Sequence, residues 1–445
     1  MSNNVHRYLP HTEEDIRKML EVIGVKSLDD LYSEIPAVLK LSHPLNLPKA
    51  KSEIEIRKVF NQLAKENKPL ICFAGFGAYD HFTPSIIPYI TSRSEFSTSY
   101  TPYQAEISQG TLMYVFEYQT MMTRLTGLDV SNASMYDGST ATAEAMMMCQ
   151  AAAKKRNRVL ASETLLPQVK EVLRTYAKFH GVDLVFVPEE NGVTNRNVLT
   201  ELLGNGDVAG VIMPQPNCYG IVEDLSGIAD ECHAQKSLLV LSGPASPLGV
   251  LKTPAEWGAD IACGDAQSLG IPLSFGGPYI GYLCATSSLI RKMPGRIVGQ
   301  TEDVEGHRTF VLTMQAREQH IRREKATSNI CTAQGMMCLY VAAYLSLMGT
   351  EGLNKVNELS AAGAHYLHDA LVETGRFADP FQKTFLNEFC LEYKGADLDA
   401  LQKHCAEAGY LCGVKVSENR VVFAVTEQRS KEEIDEFVEL VKNFG

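Results

Sequence analysis

The sequence contains no block of basic residues, and its formal charge is −12 at pH 7. An acidic chain repels the phosphates of nucleic acids and the headgroups of anionic lipids, so neither kind of partner is expected. Its longest apolar stretches end well before the ~20 residues that a bilayer span requires. The N-terminus has no apolar core of the kind found in secretion signals. These absences predict a cytoplasmic protein without a membrane or nucleic-acid partner.

Metal-binding and disulfide motifs are also absent from the sequence. The eleven cysteines include no CxxC pair, and the eleven histidines form no HExxH or similar spacing. Scattered cysteines in an acidic chain are typical of reduced thiols in the cytosol, and no metal site is expected. Cys263, Cys331 and Cys338 have no neighbouring feature that marks a nucleophile, so no catalytic cysteine is predicted.

Hydrophobic residues, 45% of the chain, form short runs that alternate with amphipathic segments of helical length. Short runs rich in Val, Ile and Leu, each followed by a helix, are typical of a mostly parallel sheet covered on both faces. The fold class is therefore predicted to be α/β. The candidate strands are Leu70–Phe73, Arg158–Ala161, Leu184–Val187, Gly210–Met213, Leu238–Leu241, Ile261–Cys263 and Ile280–Cys284. The candidate helices are 102–126, 139–155, 167–180, 194–203 and 224–236.

Three regions are predicted along the chain. Residues 1–65 form an N-terminal helical segment, in which Thr12 is a plausible N-cap and Ser27 a second helix start. Residues 66–330 form a large α/β domain, and residues 331–445 form a small α+β domain. The elements expected in the small domain are helices 334–347, 354–371, 397–408 and 430–443, with extended segments 385–393, 413–417 and 420–425.

The first site candidate is the segment 137–142, which reads Asp-Gly-Ser-Thr-Ala-Thr and begins a candidate helix. Glycine lets the backbone approach a ligand closely, and the free N–H groups of a helix start attract anions. Gly138, Ser139 and Thr140 therefore form a candidate phosphate cup. The simpler interpretation is an ordinary Ser/Thr helix cap.

The second candidate, 267–278, follows the strand Ile261–Cys263 and begins with Gln267. Its density of Gly and Pro favours a turn over a helix or a strand. The segment is either an ordinary tight connection or a loop beside a cofactor site at the strand ends.

The third candidate, 315–329, mixes charges of both signs. For most of its side chains a solvated helix with i,i+4 pairs, such as Glu318 with Arg322, is the favoured interpretation. Ser328 and Asn329 stand at a break before the next helix, and they are better ligand candidates than the charged face.

The fourth candidate, 98–110, places Tyr100, Tyr103 and Glu106 ahead of a candidate helix. Aromatic side chains with polar tips are suited to the rim of a pocket, although the same residues are equally suited to buried packing.

Together these four segments resemble the P-protein family of the glycine cleavage system. The matching motifs, in order, are Tyr-Gln-Ala-Glu-Ile-Ser-Gln-Gly at 103–110, Asp-Gly-Ser-Thr-Ala at 137–141, Gly-Asp-Ala-Gln-Ser-Leu-Gly with Phe-Gly-Gly-Pro within 264–278, and Arg-Glu-Gln-His-Ile-Arg-Arg-Glu-Lys-Ala-Thr-Ser-Asn-Ile at 317–330. The similarity covers nearly the whole chain and matches the N-terminal half of the family, which in many bacteria is a separate subunit 1 (alpha). The resemblance implies the fold-type-I PLP-dependent transferase architecture, with a seven-stranded sheet and a small domain.

The family's chemistry needs a lysine that binds PLP, an acid at a strand end beside the ring nitrogen, and a stacking residue. No Asp or Glu occurs from Leu238 to Leu251, where the resemblance places the acid. No lysine occurs between Lys252 and Lys292, and Gln267 stands at the Schiff-base position. The stacking residue is expected near 165–167, where Leu-Leu-Pro occurs. The cup at 138–140 is therefore expected to be vestigial, and no catalytic residue is predicted in this chain.

The resemblance implies that PLP is bound by a partner beta subunit in an alpha2beta2 assembly, and that this chain binds no cofactor covalently. The complex decarboxylates glycine and transfers the aminomethyl group to the lipoyl group of H-protein. The residues expected to complete the wall of the partner's active site are Tyr100, Tyr103, Gln104, Glu106, Ser328 and Asn329. Arg322 and Lys325 are candidates for H-protein docking, for a role in the wall, or for ordinary surface salt bridges.

Two other functions stay open at this point. One is an independent PLP enzyme of the desulfurase or aminotransferase kind, against which the missing lysine and acid argue. The other is a non-catalytic scaffold that uses the same fold, since a fold alone does not carry a function.

Overall fold

The computed structural model describes residues 10–444 except 42, 44, 154, 275 and 327. Phe275 and Thr327, which belong to two of the predicted site segments, therefore lie outside the described residues. The chain divides after Lys68 into two units. The helical elements of the first unit are Glu13–Ile23, Leu28–Tyr32, Ala37–Leu39 and Glu53–Glu66, of which the middle two are 3₁₀ turns.

Side-chain caps fix where three of the four helical elements of the first unit begin. Thr12 Oγ1 accepts the N–H of Asp15 at 3.2 Å, and the Asp15 carboxylate accepts the N–H of Thr12 at 2.8 Å. This reciprocal pair satisfies two amides that the helix itself leaves without partners. The Thr12 N-cap is thus confirmed, whereas Ser27 begins a 3₁₀ turn, capped by Asp30, in place of an α-helix.

The second unit is built on a seven-stranded sheet. Its strands, in spatial order, are Val130–Ser131, Gly281–Ala285, Ile261–Asp265, Leu238–Ser242, Val208–Pro214, Arg158–Ser162 and Asp183–Val187. Gly281–Ala285 runs antiparallel to both of its neighbours, and the other four strand pairs are parallel, so the predicted mostly parallel sheet is confirmed.

Apolar layers cover both faces of this sheet. Leu239 belongs to a layer that includes helix Ile228–Ala234, whereas Val240 belongs to the opposite layer, which includes helix Gly138–Ala152. Every residue of the central strand Val208–Pro214 is buried. Burial on two faces explains why these strands read as uninterrupted apolar runs in the sequence.

The predicted first strand, Leu70–Phe73, is not part of the large sheet. Only Ile71–Cys72 is extended there, and it pairs in parallel with Tyr410–Leu411. One edge of the large sheet is Val130–Ser131, which was not predicted from the sequence. A two-residue strand is too short to display an alternation of apolar and polar residues.

The helices of the large sheet match the predicted ones in number, and all but the helix at 167–180 differ from the prediction at one or both ends. Their bounds are Gln109–Thr126, Gly138–Ala152, Pro167–His180, Arg196–Gly204 and Ile228–Ala234. The helix predicted from residue 102 begins seven residues later, because a separate 3₁₀ turn forms at Ala105–Ile107. The remaining short elements are Ile86–Thr91, Ser94–Ser97, Glu189–Glu190, Val193–Thr194, Ser246–Gly249 and Ser287–Lys292.

An unpredicted β-hairpin follows the large sheet, with strands Ile297–Glu302 and Arg308–Thr313. Asp303 fixes its turn, since its carboxylate accepts the N–H groups of Glu305 and His307 at 2.9 Å each. The segment after the hairpin corrects the prediction of one solvated helix. It forms three short turns, Gln315–Arg317, Gln319–Arg322 and Arg323–Lys325.

The C-terminal region begins with helix Gly335–Glu373, which joins the two predicted helices across a break at Gly349 (φ 59°, ψ −170°). It is the one helix of the described residues long and apolar enough to cross a membrane. Its buried side chains pack into the cores of the large and the small sheets. The antiparallel small sheet has the order Phe377–Ala378, Glu388–Tyr393, Arg420–Ala424 and Val414–Lys415, and its helices are Leu398–Glu407 and Lys431–Lys442.

Candidate functional site

A cavity of about 270 Å³ lies at the carboxyl ends of three parallel strands. Pro214, Ser242 and Asp265 line it from these strand ends, and Gly138 lines it from the start of a helix. Open α/β sheets bind ligands at this edge, where the strands end and the helices begin. The cavity therefore occupies the position in which the fold would hold PLP.

Gln267 lies beside the cavity, and its side-chain amide forms its hydrogen bonds with other residues of the chain. It is 1% exposed. Its Oε1 accepts the N–H of Tyr79 at 2.8 Å, and its Nε2 donates to the carbonyls of Tyr79 and Ile271 at 3.0 and 2.7 Å. An amide supplies the donor and the acceptor that this position requires, but it cannot form a Schiff base. No lysine is found among the described residues that line the cavity.

A carboxylate of the chain itself occupies the candidate phosphate cup. The N–H of Gly138 donates to Asp265 Oδ2 at 3.1 Å, and the N–H of Gln267 donates to Asp265 Oδ1 at 2.8 Å. Asp137 Oδ1 accepts the N–H of Thr140 at 2.8 Å, while Ser139 lines the cavity. Burial raises the pKa of Asp265 to about 7, and the nearby Asp137 adds to the rise. A phosphate would meet a helix start whose amides already bind two carboxyl groups.

The remaining cofactor contacts do not fit PLP either. The strand Leu238–Ser242 ends in a hydroxyl, and Ser242 Oγ lies 2.8 Å from Thr142 Oγ1. No carboxylate stands there to pair with a protonated ring nitrogen. Leu165 and Leu166 line the cavity where a stacking ring is expected. The residues present therefore do not fit the cofactor that the fold family uses.

A second buried acid, Glu388, closes the cavity. Its Oε2 accepts the hydroxyl of Tyr79 at 3.0 Å, and its Oε1 accepts the N–H of Phe76. Burial raises the pKa of Glu388 to about 7, against an ordinary value of 4.5. Glu388 and Asp265 were not predicted from the sequence, because an isolated acid carries no motif that marks it as buried.

Glu388→Gln is expected to remove a pH-dependent part of the stability. The pKa of Glu388 in the folded state lies above its ordinary value. The contribution of Glu388 to the free energy of unfolding is therefore fully present below about pH 4.5, and it is lost as the pH rises through about 7. The variant should match the wild type at pH 5 and exceed it at pH 8 by up to about 3 kcal/mol, at 1.36 kcal/mol per pKa unit. Urea unfolding at both pH values measures the difference. Glu432→Gln is the exposed control, and equal responses of the two variants would contradict the account.

The predicted segments 98–110 and 315–329 meet at a buried arginine. Arg296 NH2 donates to the hydroxyl of Tyr103 at 2.9 Å and to Cys331 Sγ at 3.6 Å. The hydroxyls of Thr101 and Thr332 also form a hydrogen bond. These contacts bring the tyrosine-rich segment against the residues that follow Asn329. Arg296 follows a Pro-Gly pair with no sequence signal, and the sequence analysis missed it.

Glu318 is buried and pairs with Arg296, which corrects the predicted surface pair with Arg322. Its Oε2 lies 3.3 Å from Arg296 Nε and 3.4 Å from His320 Nδ1. The i,i+4 prediction fails because the residues after Glu318 form short turns instead of a continuous helix. Arg322 and Lys325 are exposed, and neither has a side-chain partner among the residues that the structure describes.

The other predicted wall residues differ in their surroundings. Tyr100 is 84% exposed, and Tyr103 is 51% exposed. Gln104, Glu106 and Asn329 are also exposed. Ser328 is half-buried, and its hydroxyl donates to Glu144 Oε1 at 2.6 Å. The structure therefore brings Tyr103 close to the 328–332 region, and it leaves most of this set accessible on the surface.

Comparison with known proteins gives consistent matches over nearly the whole chain. The family described as glycine cleavage system P-protein matches residues 6–441. A probable glycine dehydrogenase (decarboxylating) subunit 1 from Geobacillus sp. (strain WCH70) is 46% identical, over 98% of each chain. A crystal structure of glycine decarboxylase (P-protein), in inhibitor-bound form, superposes with a TM-score of 0.90 at 41% identity and covers 98% of this chain and 99% of that chain.

More distant structures agree on the fold alone. Glutamate decarboxylase from Lactobacillus brevis has a TM-score of 0.67 at 12% identity, and it covers 90% of this chain and 94% of that chain. The predicted fold-type-I architecture is therefore confirmed, with the large sheet and the small α+β region in the expected order.

Proposed function

This chain belongs to the glycine cleavage system P-protein family, and from that premise we propose that it is the alpha subunit of a glycine decarboxylase. It works with a homologous beta subunit that holds PLP, in an alpha2beta2 heterotetramer in the cytoplasm. When bound in the beta subunit, PLP supplies the electron sink for decarboxylation. The alpha subunit binds its partner, contributes residues to the shared site and excludes water from it.

One observation carries this division of labour. At the position where the resemblance places the cofactor-binding lysine, Gln267 makes three hydrogen bonds within the chain, and Asp265 accepts the amide of Gly138 at the candidate phosphate cup. This arrangement favours a supporting role for the chain over the role of an independent PLP transferase or desulfurase. Mixing the purified chain with its partner and measuring glycine–CO2 exchange tests the proposal. Activity should require both chains, and activity of this chain alone would contradict it.

The wall that this chain contributes is proposed to contain Tyr100, Tyr103, Gln104, Glu106, Ser328 and Asn329. The hydrogen bonds from Arg296 and between Thr101 and Thr332 support this, since they hold the two segments side by side. Accessible polar and aromatic side chains in one place are suited to orienting a small substrate at a shared interface.

Tyr103→Ala and Asn329→Ala are expected to lower kcat/KM of the reconstituted complex by roughly 10-fold each, since each removes a side chain from the wall. The measurement is glycine decarboxylation with H-protein as acceptor. Tyr89→Ala, at an exposed tyrosine of helix Ile86–Thr91, is the control and should retain wild-type kinetics. Unchanged kinetics in both wall variants would remove these residues from the wall and favour a scaffold role.

Arg322 and Lys325 are proposed to receive the lipoylated H-protein. The support is electrostatic, because both are exposed cations in a chain of net charge −12 and neither pairs with a described residue. Exposed cations without partners raise the rate of association with an acidic protein, and salt screens the effect. A KM for H-protein that rises steeply with salt in the wild type, and less in the double Ala variant, is the expected result.

A further inference from the structure

We propose that Arg296 binds the carboxylate of the amino-acid substrate at the edge of the shared active site. This inference rests on the proposed function and names how this chain recognises the substrate. Glycine has no side chain, so its amine and its carboxylate are the only groups by which a site can distinguish it. A site built for glycine therefore needs a fixed partner for the carboxylate.

The guanidinium of Arg296 is buried but not fully used. Arg296 is 5% exposed, and its NH1 has no hydrogen-bond partner among the described residues. Its Nε also lacks a hydrogen bond, because the Glu318 carboxylate at 3.3 Å lies within ion-pair distance but outside hydrogen-bonding geometry. A buried charged donor without an acceptor is costly, so an acceptor supplied from outside the chain would gain more here than at an exposed arginine.

A cavity of about 380 Å³ lies against this side chain. Tyr103 lines the cavity, and its ring lies under the guanidinium at 4.9 Å, which fixes the plane of the NH groups. The cavity thus adjoins a residue of the proposed wall. Its size suits a small molecule, and the planar edge of a guanidinium matches a carboxylate group.

The charges around the cavity favour one monoanion over a phosphate group. Glu318 offsets the charge of Arg296 in part, and it also faces His320 at 3.4 Å. Arg323 and Glu324, both exposed, line the cavity and offset one another. This nearly balanced set leaves the NH1 group of Arg296 for a single negative charge, and it supplies no further cation to neutralise a dianion.

An ion pair with the carboxylate stabilises the bound substrate without aiding loss of CO2, since the charge leaves the carboxylate during that step. Arg296→Gln in the reconstituted complex is therefore expected to raise the KM for glycine on the order of 10-fold or more, with kcat unchanged or higher. Arg308→Gln, at an exposed arginine of the neighbouring hairpin, is the matched control and should leave KM unchanged. A purely structural role would lower kcat instead, and would overturn the proposal.

A binding test separates the carboxylate from the rest of the ligand. Aminooxyacetate and methoxyamine carry the same reactive oxyamine, and only the first carries a carboxylate. Calorimetry on the complex measures both affinities. Arg296→Gln should lower the affinity for aminooxyacetate about 10-fold and change the affinity for methoxyamine by no more than about 2-fold. Equal weakening of both ligands, or of neither, would overturn the proposal. The subunits could instead associate more weakly while the ratio of the affinities for aminooxyacetate and methoxyamine stays unchanged. That result would overturn the proposal, and it would assign an acidic side chain of the partner as the acceptor for Arg296.

Arg296→Lys provides the second variant if Arg296→Gln does not pair with the beta subunit. It keeps the charge and loses the planar fork, so a smaller change in the same ligand ratio is expected, and an unchanged ratio would overturn the proposal. The wild-type mixture distinguishes a failure of the proposed function from a failure of the carboxylate-binding role of Arg296. A mixture that does not decarboxylate glycine overturns the proposed function, whereas an active mixture with unchanged Arg296 variants overturns only this inference.

Discussion

Gly264→Ala is expected to destabilise the fold by roughly 4 kcal/mol or more, because the new methyl group has no space. Gly264 has φ +152°, and an added Cβ would lie 1.7 Å from the carbonyl oxygen of Gly243. The two strand ends are held together there by the N–H of Gly243, which donates to Cys263 O at 3.0 Å. The backbone at the cavity floor would have to separate, which breaks this pairing beneath Asp265.

Urea unfolding followed by circular dichroism measures the loss of stability in Gly264→Ala. Gly110→Ala is the matched control, since that glycine lies in the first turn of helix Gln109–Thr126 and an added Cβ would meet nothing within 4 Å. The control should be as stable as the wild type or slightly more stable. A soluble Gly264→Ala protein with wild-type stability would show that the strand ends are not packed as described.

Gln267→Lys is expected to cost roughly 2–4 kcal/mol of stability and to gain no PLP, although it restores the residue type that the chemistry requires. Lysine has no acceptor, so the buried N–H of Tyr79 would lose the partner that it has at 2.8 Å. A buried ammonium also requires desolvation. The phosphate cup would still contain the Asp265 carboxylate, which accepts the Gly138 amide.

Two measurements separate these effects in Gln267→Lys. Urea unfolding gives the stability, and visible absorbance after incubation with PLP gives the binding. Any gain in PLP binding is expected only in the double variant with Asp265→Asn, which removes the negative charge from the cup and keeps an acceptor for Gly138. A single Gln267→Lys variant that binds PLP with a Schiff-base absorbance would contradict the role assigned to Asp265.

Elements whose ends are marked by Pro, Gly or capping residues were predicted most accurately from the sequence. The helix Pro167–His180 was predicted at its observed ends, because Pro167 occupies the first turn and Gly181 provides a left-handed C-cap. The strand Val130–Ser131 and the hairpin Ile297–Thr313 were missed. The first is too short to show a period. The apolar runs of the second, Ile-Val at 297–298 and Phe-Val-Leu at 310–312, are also too short to show the alternation of a half-buried strand.

The site was less predictable from the sequence than the fold. Motifs placed Gly138 and Gln267 beside one cavity, since each lies at a recognisable helix start or turn. Asp265, Arg296 and Glu388 were missed, because their roles depend on burial against residues distant in the sequence. Glu318 was assigned to the surface for the same reason, as its partner Arg296 lies 22 residues earlier, on a different element.

The central claim is that this chain has the fold of a PLP enzyme but leaves the cofactor to its partner. Borohydride reduction of the active, reconstituted complex, followed by digestion and mass spectrometry of both subunits, tests it most directly. We expect a pyridoxyl-lysine in peptides of the beta subunit, and none in peptides of this chain. A pyridoxyl-lysine in a peptide of this chain would contradict it.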